Sequence, residues 1–263
     1  MALYFDSHAH YDDERFDGYR EQVLSSLAPA RIGAVLNAAS DVASSEAALA
    51  LANSHDFIWA SAGVHPHEAA TLDDAALLRI ASLCGEERVV ALGEIGLDYY
   101  YDLAAREVQK VAFERQLQLA LEVDLPVIIH SRDAAQDTLE LVKKYRPRGI
   151  VHCFSGSAEL AREYVSMGMY LGFTGVVTFA NAKKPLEAAR EVPLSQLLIE
   201  TDCPYLAPVP FRGKRCDSTM LPYTAAALAA AKGVETEVLI QATWENAHRI
   251  YQIPVRESSA QER

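Results

Sequence analysis

Eight short runs rich in aliphatic and β-branched residues alternate with longer helical stretches along the whole chain. The runs fall at 2–5, 34–38, Ile58–Ala62, 89–93, 126–129, 149–152, 169–173 and 197–201. Several are continuously apolar, the pattern of parallel strands buried on both faces. Between them lie segments such as Val42–Ser54 and 106–123; in the second, Phe113, Leu117, Ala120 and Leu121 share one face at helical spacing. Strand–helix alternation carried through the whole chain predicts a (β/α)8 TIM barrel rather than an open doubly wound sheet. A dinucleotide-binding sheet would need a GxGxxG turn after its first strand, and this chain has Asp6-Ser7-His8-Ala9-His10 there. The 263 residues suit one such barrel, and no repeat, low-complexity tract or linker divides them. A single domain is expected over 1–255, with the polar residues 256–263 as a frayed tail.

Barrel enzymes carry their reactive groups at the C-terminal ends of the strands. Here those ends present His8 and His10, Glu94, His130, His152 and Asp202. His8 and His10 are two apart, so in an extended segment both side chains leave on one side and can chelate one cation. The same spacing places His130 with Arg132 and Glu200 with Asp202. Each residue taken alone could be structural: a hydrogen-bonded histidine, a capping Glu94, an Asp202 in the turn before Pro204. A barrel brings these remote strand ends to one mouth, and one metal centre then accounts for all six. Two divalent ions about 3.5–4 Å apart would polarise a phosphoryl or carbonyl oxygen and lower the pKa of a bridging water. The mixed nitrogen and oxygen set accepts Mg, Mn or Zn. Asp202 could ligate and also take the proton of that water. Glu94 could bridge the two ions as a carboxylate; no lysine lies within 89–98 to serve as a modified bridge.

A net charge of −12 argues against a protein held on duplex DNA by a broad basic face. It leaves room for phosphate chemistry in a confined site, where bound cations supply positive charge locally. The four cysteines form no CxxC pair and read as free thiols. The first residues have neither the basic nor the apolar region of a signal peptide, and no apolar run approaches the ~18 residues of a membrane span. A cytoplasmic monomer without membrane contact is the expectation.

The runs DSHAHYDDERF, GVHPHE (63–68), GEIGLDYYYD (93–102), PVIIHSRDA (126–134), GIVHCFSGS (149–157) and ETDCPYLAP (200–208), followed by RGKR (212–215) and ENAHRIY (245–251), resemble the TatD-type metal-dependent deoxyribonucleases. The motifs span nearly the whole chain in the family's order. The resemblance implies a TIM barrel, a cluster of two divalent ions and hydrolysis of DNA phosphodiesters from an end. It places the metal ligands on His8, His10, Glu94, His130, His152 and Asp202. Where the family usually continues with Asn, an acidic residue and Pro, this chain has Cys216-Asp217-Ser218, a departure that bears on the last long loop and leaves the ligands untouched.

Substrate contacts are expected from His65, His67, Arg132, Glu200 and Arg212. Arg132 either meets phosphate or pairs with Asp133 or Glu94. One of His65 and His67 faces the substrate from a turn set by Pro66. Glu200 orients a ligand or the attacking water. Arg212, Lys214 and Arg215 form a local basic cluster, either solvated or steering a strand to the ions. Tyr99, Tyr100 and Tyr101 either stack a base or pack under a loop. Three functions fit these residues: DNA phosphodiester hydrolysis on single-stranded or frayed ends, metal-dependent amide or ester hydrolysis of a small molecule, and metal binding without turnover.

Overall fold

The apolar runs pair side by side because each exposes a backbone that only another strand can satisfy away from water. The computed structural model describes residues 2–254, so the expected tail at 256–263 lies outside the described residues. Strands β1 (Tyr4–Ala9), β2 (Ile32–Asn37), β3 (Ile58–Ala62), β4 (Val89–Asp98), β5 (Val127–Arg132), β6 (Gly149–Val151), β7 (Tyr170–Phe173) and β8 (Leu197–Ile199) run parallel, each pairing with the next. The ring closes past the end of β8: the Asp202 amide donates to the His8 carbonyl at 2.9 Å and the His10 amide to the Cys203 carbonyl at 2.8 Å. This is the expected (β/α)8 barrel.

Helices α1 (Arg20–Leu27), α2 (Val42–Ser54), α3 (Asp74–Leu83), α4 (Arg106–Glu122), α5 (Ala135–Tyr145), α6 (Ala158–Ser166), α7 (Lys183–Glu191) and α8 (Leu221–Lys232) follow the successive strands, and α9 (Thr236–Ile250) packs across β1 and β8. Local chemistry sets several starts. Asp41 accepts the Ser44 amide at 2.7 Å while Ser44 Oγ accepts the Asp41 amide at 2.8 Å, a reciprocal cap on α2. Phe5, Leu36, Trp59, Val90, Ile128, Ile150, Tyr170 and Leu198 supply one side chain from every strand to a common cluster, which therefore fills the barrel axis. Ile250, the last residue of α9, and Tyr251 and Ile253 after it join that cluster and close one end of it. Among the described residues no helix is long and apolar enough to cross a membrane. All four cysteines are free thiols.

Apolarity misplaces several strand ends. The first run, expected at 2–5, continues as β1 through Ala9, because Asp6, Ser7 and His8 are buried and the side chains of Asp6 and Ser7 hydrogen-bond inside the protein. Asp6 accepts the Thr201 amide at 2.9 Å and the hydroxyls of Thr201 and Ser218, each at 2.6 Å. The strands β4 and β5 likewise run on through Asp98 and Arg132, whereas β8 ends at Ile199, short of the expected 201. In α4 the expected face also shifts. Leu121 is half-exposed, and Gln109 and Gln116 are buried beside Phe113, Leu117 and Ala120. These glutamines replace missing strand partners. Gln116 takes the Val64 amide at 2.7 Å and donates to its carbonyl at 2.9 Å. Gln109 does the same for Asp98, at 2.8 and 3.1 Å. The segments leaving β3 and β4 are thus held from behind by one helix.

Ser218 explains how the last long loop is anchored without the family's proline. Its amide donates to Tyr11 Oη at 2.9 Å and its hydroxyl to Asp6; proline could supply neither.

Pairing between β4 and β5 slips between Leu92 and Ile95, a bulge beside Glu94, and then resumes with Gly96 opposite His130. Gly96 has φ +140°, and a Cβ there would sit 2.0 Å from the His130 carbonyl oxygen. Replacing Gly96 with Ala is expected to cost about 3 kcal/mol or more in denaturant unfolding, combining backbone strain with overpacking. A loss under about 1 kcal/mol would show that the two strands can part at this point.

Candidate metal centre

Strand β1 turns His8 and His10 to the same side, as their spacing predicts, with the two Nε2 atoms 3.1 Å apart. The His10 ring is set by its other nitrogen, whose proton goes to the Ala38 carbonyl at 2.8 Å. Once the ring is neutral, Nε2 carries the lone pair. The bulge in β4 aims Glu94 into the mouth, where its two oxygens face different partners. Oε2 lies 3.3 Å from His8 Nε2 and 3.8 Å from His10 Nε2. Oε1 lies 2.8 Å from His130 Nδ1 and 2.7 Å from His152 Nε2. Asp202 adds an oxygen to the first group, 3.3 Å from His10 Nε2 and 3.6 Å from His8 Nε2. All six residues read from the strand ends therefore meet, in two groups that share one carboxylate. Ligand atoms each about 2 Å from a common ion stand about 3 Å from one another, so the donor set fits a divalent cation in each group.

Charge inside this cluster is mutually dependent. Burial alone would raise the Glu94 pKa, but the imidazoles of His152, His65 and His8 and the hydrogen bond from His130 hold it well below the usual carboxylate range. Burial opposes protonation of His10, yet the hydrogen bond and charge of Asp202 raise it to about 9. His152 is likewise raised well above the ordinary histidine value against its burial, by Glu94 and Glu200, and His130 is raised by Asp98 and Glu94. For His8 burial wins and the pKa falls.

His65 also reaches the cluster, its Nε2 3.6 Å from Glu94 Oε1. Its Nδ1 accepts the His67 amide at 3.2 Å, so the proton of the neutral ring sits on Nε2 and points into the centre. Burial keeps that ring neutral by pushing its pKa well below the ordinary value. A protonated Nε2 is a donor, which suits a substrate oxygen better than a cation.

Asp98 is the functional residue that strand-end reasoning missed. It is fully buried, and Oδ2 accepts from His130 Nε2 at 3.0 Å and from His67 Nε2 at 2.9 Å. Oδ1 accepts the amides of Tyr100 and Tyr101 at 3.0 and 2.9 Å. These hydrogen bonds outweigh burial and hold its carboxyl far below the usual range. With its Nε2 proton given to Asp98, His130 presents Nδ1 to the centre. The signal was present: Glu94, Gly96 and Asp98 alternate onto one face of β4, but ending that run at 93 hid it.

Glu200 does not share the face of Asp202. Asp202 takes a left-handed φ of +58°, which breaks the alternation. Glu200 is fully buried beside His8 and His152. It accepts the Ser7 hydroxyl at 3.2 Å and the Cys153 amide, with Oε1 3.6 Å from His152 Nδ1. Arg132 pairs with neither Asp133 nor Glu94 and lies over Tyr100 and Tyr101 instead. Arg212 lies over Phe179, 4.5 Å from the ring centre, and is not brought into the cluster. Tyr99 packs inward, its hydroxyl donating to Asp137 at 2.7 Å, while Tyr100 and Tyr101 are exposed.

Residues 5–252 match the family described as TatD related DNase. The chain belongs to the TatD family. It is 42% identical over 254 residues to the metal-dependent hydrolase YabD of Bacillus subtilis, covering 95% of this chain and all of that one. It is 36% identical to the 3'-5' ssDNA/RNA exonuclease TatD of Cronobacter sakazakii, covering 94% of this chain and 97% of the relative. The crystal structure of YjjV, a TatD homologue from Escherichia coli, superposes with a TM-score of 0.90 at 30% identity, over 95% of this chain and 98% of that one. This TatD protein is a metal-dependent hydrolase, and its mouth carries histidine and carboxylate groups able to hold metal, among them His8–His10–Glu94.

Two measurements follow from the site. Because the pKa of His10 is raised to about 9 and those of His130 and His152 are raised too, a cation taking their lone pairs competes with protons. Calorimetric titration of the metal-free protein with Mn2+ in buffers of different ionisation enthalpy is expected to show net proton release. The apparent affinity is expected to rise from pH 6 to pH 8; uptake independent of pH would contradict the assignment. Replacing Asp98 with Asn is expected to weaken Mn2+ binding about 10–100-fold in a competitive chelator assay. Wild-type affinity would leave Asp98 a purely structural residue.

Proposed function

We propose that this protein hydrolyses phosphodiester bonds of single-stranded DNA, or of frayed ends, removing nucleotides from an end with two divalent cations. The observation that carries the reading is the division of the ligand set by Glu94: His8, His10 and Asp202 group with Oε2, and His130 and His152 with Oε1. One carboxylate shared between two donor sets is the arrangement that paired-cation phosphoryl chemistry needs. Divalent cations bound there, Mg, Mn or Zn by the mixed donor set, supply charge against the phosphoryl oxygens and a water of lowered pKa. A relative with the same motifs is named a 3'-5' ssDNA/RNA exonuclease.

The remaining steps belong to the protein's own residues. Asp202, held ionised beside His10, accepts the proton of the attacking water. His65 keeps its Nε2 proton and hydrogen-bonds through it to a non-bridging phosphate oxygen. Arg132 has no acceptor among the described residues and offers its planar fork to phosphate. Asp98 and Glu200 keep His130 and His152 oriented. A chain of net charge −12 then recruits phosphate through the cations and a few arginines rather than through a basic surface. A cytoplasmic monomer with one domain over 1–255 is part of the same reading.

Metal-loaded protein is expected to release mononucleotides from end-labelled single-stranded DNA, and chelator to stop it. The Arg132→Ala variant is expected to retain its metals and lose about 1.5–3 kcal/mol in kcat/KM, the worth of one charged hydrogen-bond partner. Turnover of small amides or esters with no release from DNA would replace this reading by that of an amidohydrolase.

A further inference from the structure

In a barrel whose strands follow in chain order, the rim at β4 and β5 faces the rim at β8 and β1 across the axis. Both rims carry exposed arginine stacked on tyrosine. On the first, the Arg132 guanidinium lies 4.0 Å from the centre of the Tyr100 ring and 4.7 Å from that of Tyr101. These rings are 58% and 53% exposed. Tyr101 packs edge-on against His67, which shares Asp98 with His130. On the second, Arg15, just past β1, lies 4.4 Å over Tyr205, just past β8. Tyr205 is 39% exposed, and its ring stands 6.4 Å from that of His10. Its hydroxyl is tied to Asp13 at 3.0 Å, the Arg15 Nε lies 3.9 Å from the same carboxylate, and Arg215 donates to the Arg15 carbonyl at 3.0 Å.

Each ledge therefore adjoins one of the two donor groups, with Glu94 between them. A guanidinium lying flat on a phenol ring keeps its N–H edge available to an oxyanion, and the uncovered parts of the ring remain a stacking surface. Cation and π-face together match the alternation of phosphate and base along a nucleotide chain. Neither ledge is needed to hold a small ester.

The geometry points to two nucleotide subsites on opposite rims of the mouth, so that the strand is held on both sides of the bond it loses. One base stacks at Tyr100 and Tyr101 with a phosphate on Arg132; the other stacks at Tyr205 with a phosphate on Arg15. The scissile linkage crosses Glu94 between them, which makes a dinucleotide the smallest substrate that fills the site. This inference rests on the phosphodiesterase reading above and specifies how that site takes its substrate.

The test compares hydrolysis of a short single-stranded oligodeoxynucleotide with hydrolysis of methyl p-nitrophenyl phosphate by metal-loaded protein. The Tyr205→Leu variant and the double variant Tyr100→Leu, Tyr101→Leu are each expected to raise KM for the oligonucleotide about tenfold with little change in kcat. The loss on the small diester is expected to be far smaller, and the corresponding Phe variants to recover most of the oligonucleotide affinity. An abasic residue on one side of the scissile linkage is expected to abolish sensitivity to one Leu variant, and on the other side to the other. Equal losses on both substrates, or an unchanged KM for the oligonucleotide, would overturn the two subsites. Anisotropy with a hydrolysis-resistant phosphorothioate strand separates this outcome from failure of the reaction assignment. If wild-type protein cleaves only the small diester, the nucleic-acid reading falls, and the two subsites stand or fall on whether the Leu variants bind that strand about tenfold more weakly.

Discussion

One buried carboxylate organises the mouth of this barrel. Glu94 is almost wholly removed from water, and an ionised carboxylate there is tolerable only with compensating charge and hydrogen bonds at both oxygens. His8 and His10 approach one oxygen, and His130, His152 and His65 approach the other. The imidazoles converge from four strands or the segments after them, so barrel closure and charge compensation are the same requirement. Residues that look like separate structural features along the chain are held together by that shared electrostatic demand.

Behind the cluster, acidic and amide groups do the orienting. Asp98 sets the ring of His130, Glu200 stands behind His152, and the Ala38 carbonyl sets His10. Gln109 and Gln116 then hold the backbone at Asp98 and Val64 from α4. The precision of the cluster therefore comes from a layer behind the histidines, as metal sites commonly require.

Much of this was legible beforehand, for identifiable reasons. Alternation of apolar runs with helical segments predicts the barrel because parallel strands buried on both faces have little freedom of composition. The six strand-end residues converge as read because barrel topology maps sequence ends to one place. Asp98 escaped because polar residues inside β1 and β4 look like loop when strands are recognised by apolarity, although internal hydrogen bonds let them stay buried. Glu200 was turned to the wrong side because alternation holds only while the backbone is extended, and Asp202 leaves that conformation. The stacking of Arg132 on two tyrosines, rather than on an acidic partner, depends on loop geometry that spacing does not encode.

The fold of Asp6 between Thr201 and Ser218 has a wider implication. A single carboxylate grips both ends of the segment that carries Tyr205, Arg212 and Arg215, giving the loop a closed neck beneath the ring of strands. Because the ends are fixed together, lengthening or shortening the span between them adds only a slowly growing entropic cost. The neck thereby separates two evolutionary problems: residues beyond it can be exchanged while the cluster it adjoins keeps its coordinates.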